Sequence, residues 1–396
     1  MSNESHPPGS ASPAHASGDQ PLVPGNMPTA AGSPEAAIAP SGEIASEKNP
    51  TTPQSSTSCQ PTGTSGFSRR GMLLGAGAAA LAVVGYPLLK RAWQTPAPVF
   101  IARGQRYDGS LVQTIRDGLL ATGLIPEHLP GRRVLLKPNM VEPARDRPQM
   151  TTHPAVVRAT IEVFQRWGAF VSVGEAPGHV RDTEMALYES GIGEMLRDDR
   201  VAFADLNYEQ VGWIPNKGKK SPLTGFYFPQ SVLEADLVVS LPKLKTHHWV
   251  GLTVSMKNLY GTLPGCKYGW PKNVLHHAGI PNTVVDINAS LPKAIAIVDG
   301  ITCMEGDGPI LGSAKEMGLV IVGTCPLAVD ATCARIMDLD PSRVDYLSMA
   351  AGKMGPLAES LIQQRGERWQ PLVSPFSLLD EPHLQRLRNP SGVLTS

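Results

Sequence analysis

The side chains best suited to chemistry gather in one short stretch of the chain, residues 236–267. The stretch opens with an apolar, β-branched run that predicts a buried strand. Pro242 is expected to end that strand, because proline has no N–H to donate to a sheet. The basic and amide side chains that follow are Lys243, Lys245, His247, Lys257, Asn258 and Lys267. Ligands of open α/β sheets bind beyond the carboxyl ends of strands, so this stretch is the predicted site.

The clustered lysines and histidines indicate two kinds of chemistry. Neighbouring ammonium groups attract carboxylates and phosphates, and they lower one another's pKa values until one can act as a base. A neutral imidazole can bind a metal or move a proton near neutral pH. We therefore assign His247, Lys245 and Lys257 as candidate catalytic residues, with a solvated loop as the alternative for the lysines. The adjacent histidine pairs at 247–248 and 276–277 leave open which member faces the site.

Polar residues also follow three other predicted strands. Lys137 and Asn139 come after the strand at 134–136, Glu175 after the strand at 170–173, and Asp299 after the strand at 294–298. Because polar residues follow four predicted strands, we expect one rim of the sheet to be lined with functional groups. We expect an anionic small molecule to be bound there by a set of lysine and asparagine side chains: Lys137, Asn139, Lys243, Asn258 and Lys267.

Carboxylates near one of these strand ends could bind a metal ion. Asp299, Glu305 and Asp307 surround a glycine-rich turn and, with Glu175, form the candidate set for a divalent cation. The alternative is an ordinary Gly/Asp turn, since neither the EF-hand spacing nor H-E-x-x-H is present. The five cysteines include no C-x-x-C, so an iron–sulfur cluster or structural zinc lacks its usual ligand spacing. The sequence does not identify a cofactor.

The elements that must position these residues alternate between strands and helices from 98 to 364. This alternation predicts an α/β fold, a mostly parallel, twisted sheet with helices on both faces, interrupted by an irregular insertion with a hairpin at 207–230. We expect residues 98–366 to form the folded domain and 367–396 to be a polar tail. The 35 basic and 35 acidic residues balance, so no overall field favours nucleic acid as a partner.

The first part of the chain has a different composition. Residues 1–66 are rich in Pro, Ser, Thr, Gly and Ala, which predicts a disordered segment. Within residues 67–97, Arg69 and Arg70 precede a weakly apolar run at 71–89, an arrangement that resembles a bacterial twin-arginine signal. We expect export by the twin-arginine machinery to the periplasm or another extracytoplasmic space, with membrane contact limited to this segment. An uncleaved anchor formed by 71–89 is the alternative.

Several of these motifs together resemble the domain-of-unknown-function 362 family over residues 98–352. The motifs lie at 137–139, 152–154, 174–175, 241–247, 256–261 and 299–309. Members of the family often carry a ferredoxin-like iron–sulfur module, which is missing here. The name of the family assigns no activity, so the resemblance implies a site without supplying a reaction. Two alternatives stand beside the anion-binding hypothesis: a non-catalytic accessory protein of a redox complex, and an electron-transfer protein whose cluster is held by Cys266, Cys303, Cys325 and Cys333.

Overall fold

A large mixed sheet dominates the computed structural model, which describes residues 96–179 and 181–389. The strands are β1 (Ala97–Ala102), β2 (Arg133–Pro138), β3 (Phe170–Glu175), β4 (Ala202–Asp205), β5 (Val211–Pro215), β6 (Gly225–Pro229), β7 (Leu237–Leu241), β8 (Lys243–His247), β9 (Gly251–Thr253), β10 (Ala294–Glu305), β11 (Ser313–Gly323) and β12 (Ile362–Gly366). The main sheet has ten strands, eight of them in the order β12-β1-β11-β10-β7-β2-β3-β4, and β8 joins it beside β10 and β9.

Helices cover both faces of this sheet. They span Leu111–Ala121, Pro154–Arg166, Thr183–Ser190, Ile192–Asp198, Gln230–Leu233, Ser255–Asn258, Gly265–Tyr268, Asn273–His277, Ile280–Ser290, Pro326–Ile336, Asp345–Ala350 and Pro382–Gln385. Alternate residues of a strand point to opposite faces. Val238 accordingly packs in the core with the helix Pro326–Ile336, whereas Val239 packs in a second core with the helix Pro154–Arg166.

The strands between β10 and β4 pair in parallel, as the alternation of strands and helices predicts. The α/β fold with helices on both faces is thus confirmed. On the other side of β10 the sheet has two antiparallel pairs, β10 with β11 and β11 with β1. The predicted hairpin within 207–230 is confirmed as the separate antiparallel pair β5–β6.

One predicted strand end is confirmed and one is wrong, and both affect the site. Strand β7 ends at Leu241, before Pro242, as predicted, but the chain stays extended beyond Pro242, because β8 follows directly and pairs with β10. Strand β10 does not end before Asp299 but continues to Glu305, passing an irregularity near Gly300. Lys243 and Asp299 are therefore partners across two strands inside the sheet, rather than side chains on loops at its rim.

The predicted disordered segment and export signal lie outside the described residues. In residues 96–179 and 181–389, no helix combines the length and apolar character needed to cross a membrane. At the other end, residues 367–389 were expected to be a polar tail. They pack onto the main core through Phe376, Leu384 and Leu387, which are all buried.

Candidate functional site

Four neighbouring strands bring the predicted rim residues together. The strands that carry or precede these residues, β10, β7, β2 and β3, lie side by side in the sheet. Lys137 pairs in register with Ser240, and Glu175 is the last residue of β3. The chain then runs from β7 through β8 and β9 to the short helix Ser255–Asn258. This path returns Lys257 and Asn258 to the carboxyl end of β2.

A buried hydrogen-bond network lies at the centre of this rim. The Lys137 ammonium donates to the Glu175 carboxylate, to the Pro138 carbonyl at 2.9 Å and to Asn258 Oδ1 at 3.0 Å. Because Asn258 Oδ1 accepts from Lys137, its Nδ2 is the donor to Ser240 Oγ at 3.0 Å. Burial lowers the pKa of Lys137 and raises that of Glu175, and the opposite charge of each partner offsets part of the shift.

This network also fixes the orientation of Asn139. Asn139 Nδ2 donates to Asn258 Oδ1 at 3.2 Å, so the Oδ1 atom of Asn139 points away from that contact. Asn139 is 4% exposed, and within the described part of the chain its Oδ1 atom has no hydrogen-bond partner. A buried acceptor without a donor is costly, which makes this atom a candidate contact for a ligand or water.

A cavity of about 250 Å³ opens beside the network. Its charged and amide lining comes from lysine, histidine and asparagine side chains, and no Asp or Glu among the residues described in the structure contributes to it. The polar residues that line it include Lys137, Asn139, His247, Lys257, Asn258 and Lys272. The cavity therefore combines three amino groups with a wall that lacks carboxylates.

Two of these amino groups have strongly lowered pKa values. Burial lowers the pKa of Lys257 to about 8, and the charge of Lys137 adds to the effect. Burial likewise lowers the pKa of Lys272 to about 7, although the charge of Glu175 opposes the shift. Lys257 Nζ lies 4.3 Å from the centre of the Tyr260 ring, and Lys272 Nζ donates to the Leu263 carbonyl.

His247 presents an N–H to the cavity. Its Nδ1 atom accepts a hydrogen bond from the Trp249 backbone N–H at 3.1 Å, and burial together with the charge of Lys257 lowers its pKa well below the usual value. A neutral imidazole whose Nδ1 is the acceptor carries its proton on Nε2. His247 is therefore a hydrogen-bond donor here, and this tautomer does not offer Nε2 as a metal ligand or base.

Aromatic side chains border the same cavity. Trp249 is exposed and meets the His276 ring edge-on at 5.2 Å, while His276 stacks on Tyr260 at 5.9 Å. Burial, with the charge of Lys257, lowers the pKa of His276 to about 4, so this imidazole is neutral at physiological pH. The rings add apolar contact area around a basic centre.

A buried carboxylate, that of Asp330 on the helix Pro326–Ile336, positions the helix that carries two of these residues. Asp330 Oδ1 accepts from Ser255 N at 2.8 Å and Oδ2 from Met256 N at 2.9 Å. These bonds satisfy the first N–H groups of the helix Ser255–Asn258, as an N-cap would. Burial raises the pKa of Asp330 to about 8. Its role is to hold Lys257 and Asn258 at the cavity.

Two of the predicted lysines lie near the cavity but do not line it. Lys243 Nζ donates to Asp299 at 2.7 Å and to the Tyr107 hydroxyl at 3.0 Å, and the ion pair is fully buried. Burial opposes the charged form of Lys243, but the charges of Asp299 and Tyr107 outweigh it and raise the pKa. Lys245 Nζ donates to the carbonyls of Met150 and Pro309, and burial lowers its pKa well below the usual value.

The remaining candidates lie apart. Lys267 is exposed, with its Nζ 5.6 Å from the centre of the Tyr227 ring. The four proposed metal-binding carboxylates do not converge: Glu175 pairs with Lys137, Asp299 with Lys243, Glu305 with Lys315 and Asp307 with His248. Within residues 96–179 and 181–389, no three His, Cys, Asp or Glu side chains form a group that could hold a metal ion.

Sequence reasoning missed Lys272 and Trp249. Lys272 follows Trp270-Pro271 far from any predicted strand end, so its position gives no periodic or motif signal. It reaches the cavity because the chain folds back after the helix Gly265–Tyr268. Of the two histidine pairs, His247 and His276 both line the cavity, and so does His248, whereas His277 does not.

Comparison with known proteins gives a family and two similar chains. The model of the family described as Domain of unknown function (DUF362) matches residues 134–335, just over half of the chain, and confirms the resemblance seen in the motifs. The thylakoid-associated protein sll1697 of Synechocystis sp. is 28% identical over 254 residues, which cover 63% of this chain and 77% of that protein. The lactate racemase apoprotein from Thermoanaerobacterium thermosaccharolyticum matches with 15% identity and a TM-score of 0.36. That match covers 62% of this chain and 57%, less than two thirds, of the racemase.

Proposed function

Because this chain belongs to the DUF362 family, whose description assigns no activity, we propose its function from the cavity itself: it binds a small anionic molecule among Lys137, Lys257 and Lys272. One observation carries the proposal. Three lysines line the cavity, and of the residues that the structure describes no carboxylate does so. Glu175 neutralises only Lys137, which leaves a local excess of positive charge when the other two are protonated.

Desolvation makes this excess charge effective. Lysine charges that are removed from water interact more strongly with an anion than surface lysines do. The cost of keeping Lys257 and Lys272 charged is reflected in pKa values of about 8 and about 7. A bound carboxylate or phosphate would offset this cost and raise both pKa values. The site is therefore suited to an anion that enters together with protons.

The size of the cavity and its neutral polar groups limit which ligands it can bind. A cavity of about 250 Å³ is smaller than typical sites for drug-sized ligands, so it suits a small metabolite rather than a nucleotide. His247 offers an N–H donor, and Asn139 Oδ1 needs a donor. A small carboxylate or phosphate that also carries a hydroxyl group would use both, whereas a carbonyl group would accept from His247 alone.

Calorimetric titration of the full chain with small carboxylates and inorganic phosphate tests this proposal. Lys257→Gln should weaken binding by roughly thirtyfold, which corresponds to about 2 kcal/mol for one charged hydrogen bond. Lys267→Gln is the matched control, because Lys267 lies outside the cavity, and it should bind as the unmodified protein does. The proposal fails if no such anion binds, or if both variants weaken binding equally.

Export is a separate proposal that rests on the sequence. We propose that the paired arginines at 69–70 and the weakly apolar run at 71–89 direct the protein through the twin-arginine machinery. Replacing both arginines with lysine should leave the protein in the cytoplasmic fraction. If the replaced protein still reaches the periplasm, another signal directs it.

A further inference from the structure

Lys272 differs from every other lysine near the site. It is 3% exposed, lines the cavity and has no carboxylate within salt-bridge distance in the part of the chain that the structure covers. Its backbone lies in the left-handed region with φ of 69°. A residue other than glycine in that region costs of order 1 kcal/mol or more, and such strain is concentrated at functional sites.

The other lysines near the site have different surroundings. Lys137 pairs with Glu175, and Lys243 pairs with Asp299. The Lys257 ammonium lies over the Tyr260 ring, a contact that stabilises the cation. Lys245 is bound to two carbonyls and does not reach the cavity.

We propose that Lys272 is a nucleophile that forms an imine with the carbonyl carbon of a small oxo acid held in the cavity. This inference rests on the proposed function, since the carboxylate of the oxo acid is the bound anion. Lys257 and Lys137 bind that carboxylate, and His247 donates its Nε2–H to the substrate. Lys272 donates one N–H to the Leu263 carbonyl, which orients the amine without consuming its lone pair.

Formation of the imine needs no oxidant, no reductant and no second substrate. The lone pair of Lys272 Nζ adds to the carbonyl carbon, forming the C–N bond. The carbonyl oxygen then leaves as water with the two hydrogens of the amine, and the nitrogen keeps a double bond to carbon. The reaction needs a neutral amine at physiological pH, and burial that lowers the pKa of Lys272 to about 7 leaves half of it neutral there.

The test is reductive trapping of the full chain near neutral pH. Pyruvate or glyoxylate is added with cyanoborohydride, and peptide mass spectrometry locates the reduced adduct. We expect Lys272 to be modified at least about tenfold faster than Lys267, because Lys272 lines the cavity that binds the oxo acid, whereas Lys267 is exposed outside it. Lys272→Asn, a residue that tolerates the left-handed region, should abolish the fast adduct while leaving the thermal unfolding transition in place.

Calorimetry with propionate, which has no ketone, separates this inference from the proposed function. If propionate binds but the oxo acids form no adduct at Lys272, or form the fast adduct at Lys257 instead, the imine at Lys272 is overturned. The anion site remains supported in either case. If neither propionate nor the oxo acids bind and no fast adduct forms, both proposals fail. A fast adduct that is lost only in Lys272→Asn supports both.

Discussion

The buried pair between Lys137 and Glu175 should respond sharply to the loss of either charge. Their side chains are 1% and 3% exposed, so water cannot replace a missing partner. In Glu175→Leu, the acceptors left to the Lys137 ammonium within residues 96–179 and 181–389 are neutral, the Pro138 carbonyl and Asn258 Oδ1. In Lys137→Met, the one hydrogen bond that the Glu175 carboxylate keeps among the described residues is from the Ala176 N–H at 3.1 Å. Each single change leaves one ion buried and unpaired.

The magnitude follows from the cost of such an ion. Removing one member of a buried pair costs about 3–5 kcal/mol, whereas replacing both members by apolar groups of similar size is often close to neutral. We therefore expect each single variant to lose about 3 kcal/mol of unfolding free energy or more. The double variant Lys137→Met/Glu175→Leu should lose less than the sum, by at least about 2 kcal/mol.

Urea unfolding followed by circular dichroism measures these free energies. Glu194→Gln is the matched control, because its ion pair with Arg145, at 2.8 Å, is nearly half exposed on both sides. That change should cost less than about 1 kcal/mol. If the single variants at Lys137 and Glu175 cost no more than the control, or if their effects simply add, the pair is not desolvated and coupled as described.

Three further outcomes follow from the same contacts. Gly261→Ala would place a methyl group 2.6 Å from Lys137 Nζ, so anion affinity should fall at least about tenfold; unchanged affinity in calorimetry would contradict the close approach. Asp299→Asn should destabilise the fold by about 3 kcal/mol in urea unfolding, because Lys243 is left unpaired, yet anion affinity should stay within about twofold. With pKa values of about 7 and about 8 in the free cavity, anion affinity should be greatest below pH 7 and decline as pH rises through both values; a flat profile would refute the role of the two lysines.

The sequence predicted the sheet and much of its rim because both depend on local patterns. Buried β-branched runs and alternating helices determine the parallel strands, and polar residues at the carboxyl ends of β2 and β3 reach the same edge. Lys137, Asn139, Lys257 and Asn258 were expected to act together, and the structure brings all four to one cavity.

What the sequence could not provide was the outcome of long-range pairing. Lys243 and Asp299 each looked like a rim residue, but the continuation of β8 and β10 pairs them with each other inside the sheet. No sequence pattern identifies Lys272 as a site residue, because a chain reversal some distance from the strands brings it to the cavity. Its lowered pKa arises from burial, which depends on the packed structure rather than on neighbours in the sequence.

The charge states of the two unpaired cavity lysines are the quantities to measure first. Competitive labelling of the full chain with acetic anhydride across a pH series, read out by peptide mass spectrometry, reports the pKa of each lysine separately. The anion site predicts titration of Lys257 near 8 and Lys272 near 7, and an upward shift of both when a binding anion is present. Titration of both near 10.4, the value of an unperturbed lysine, with no response to anions, would contradict it.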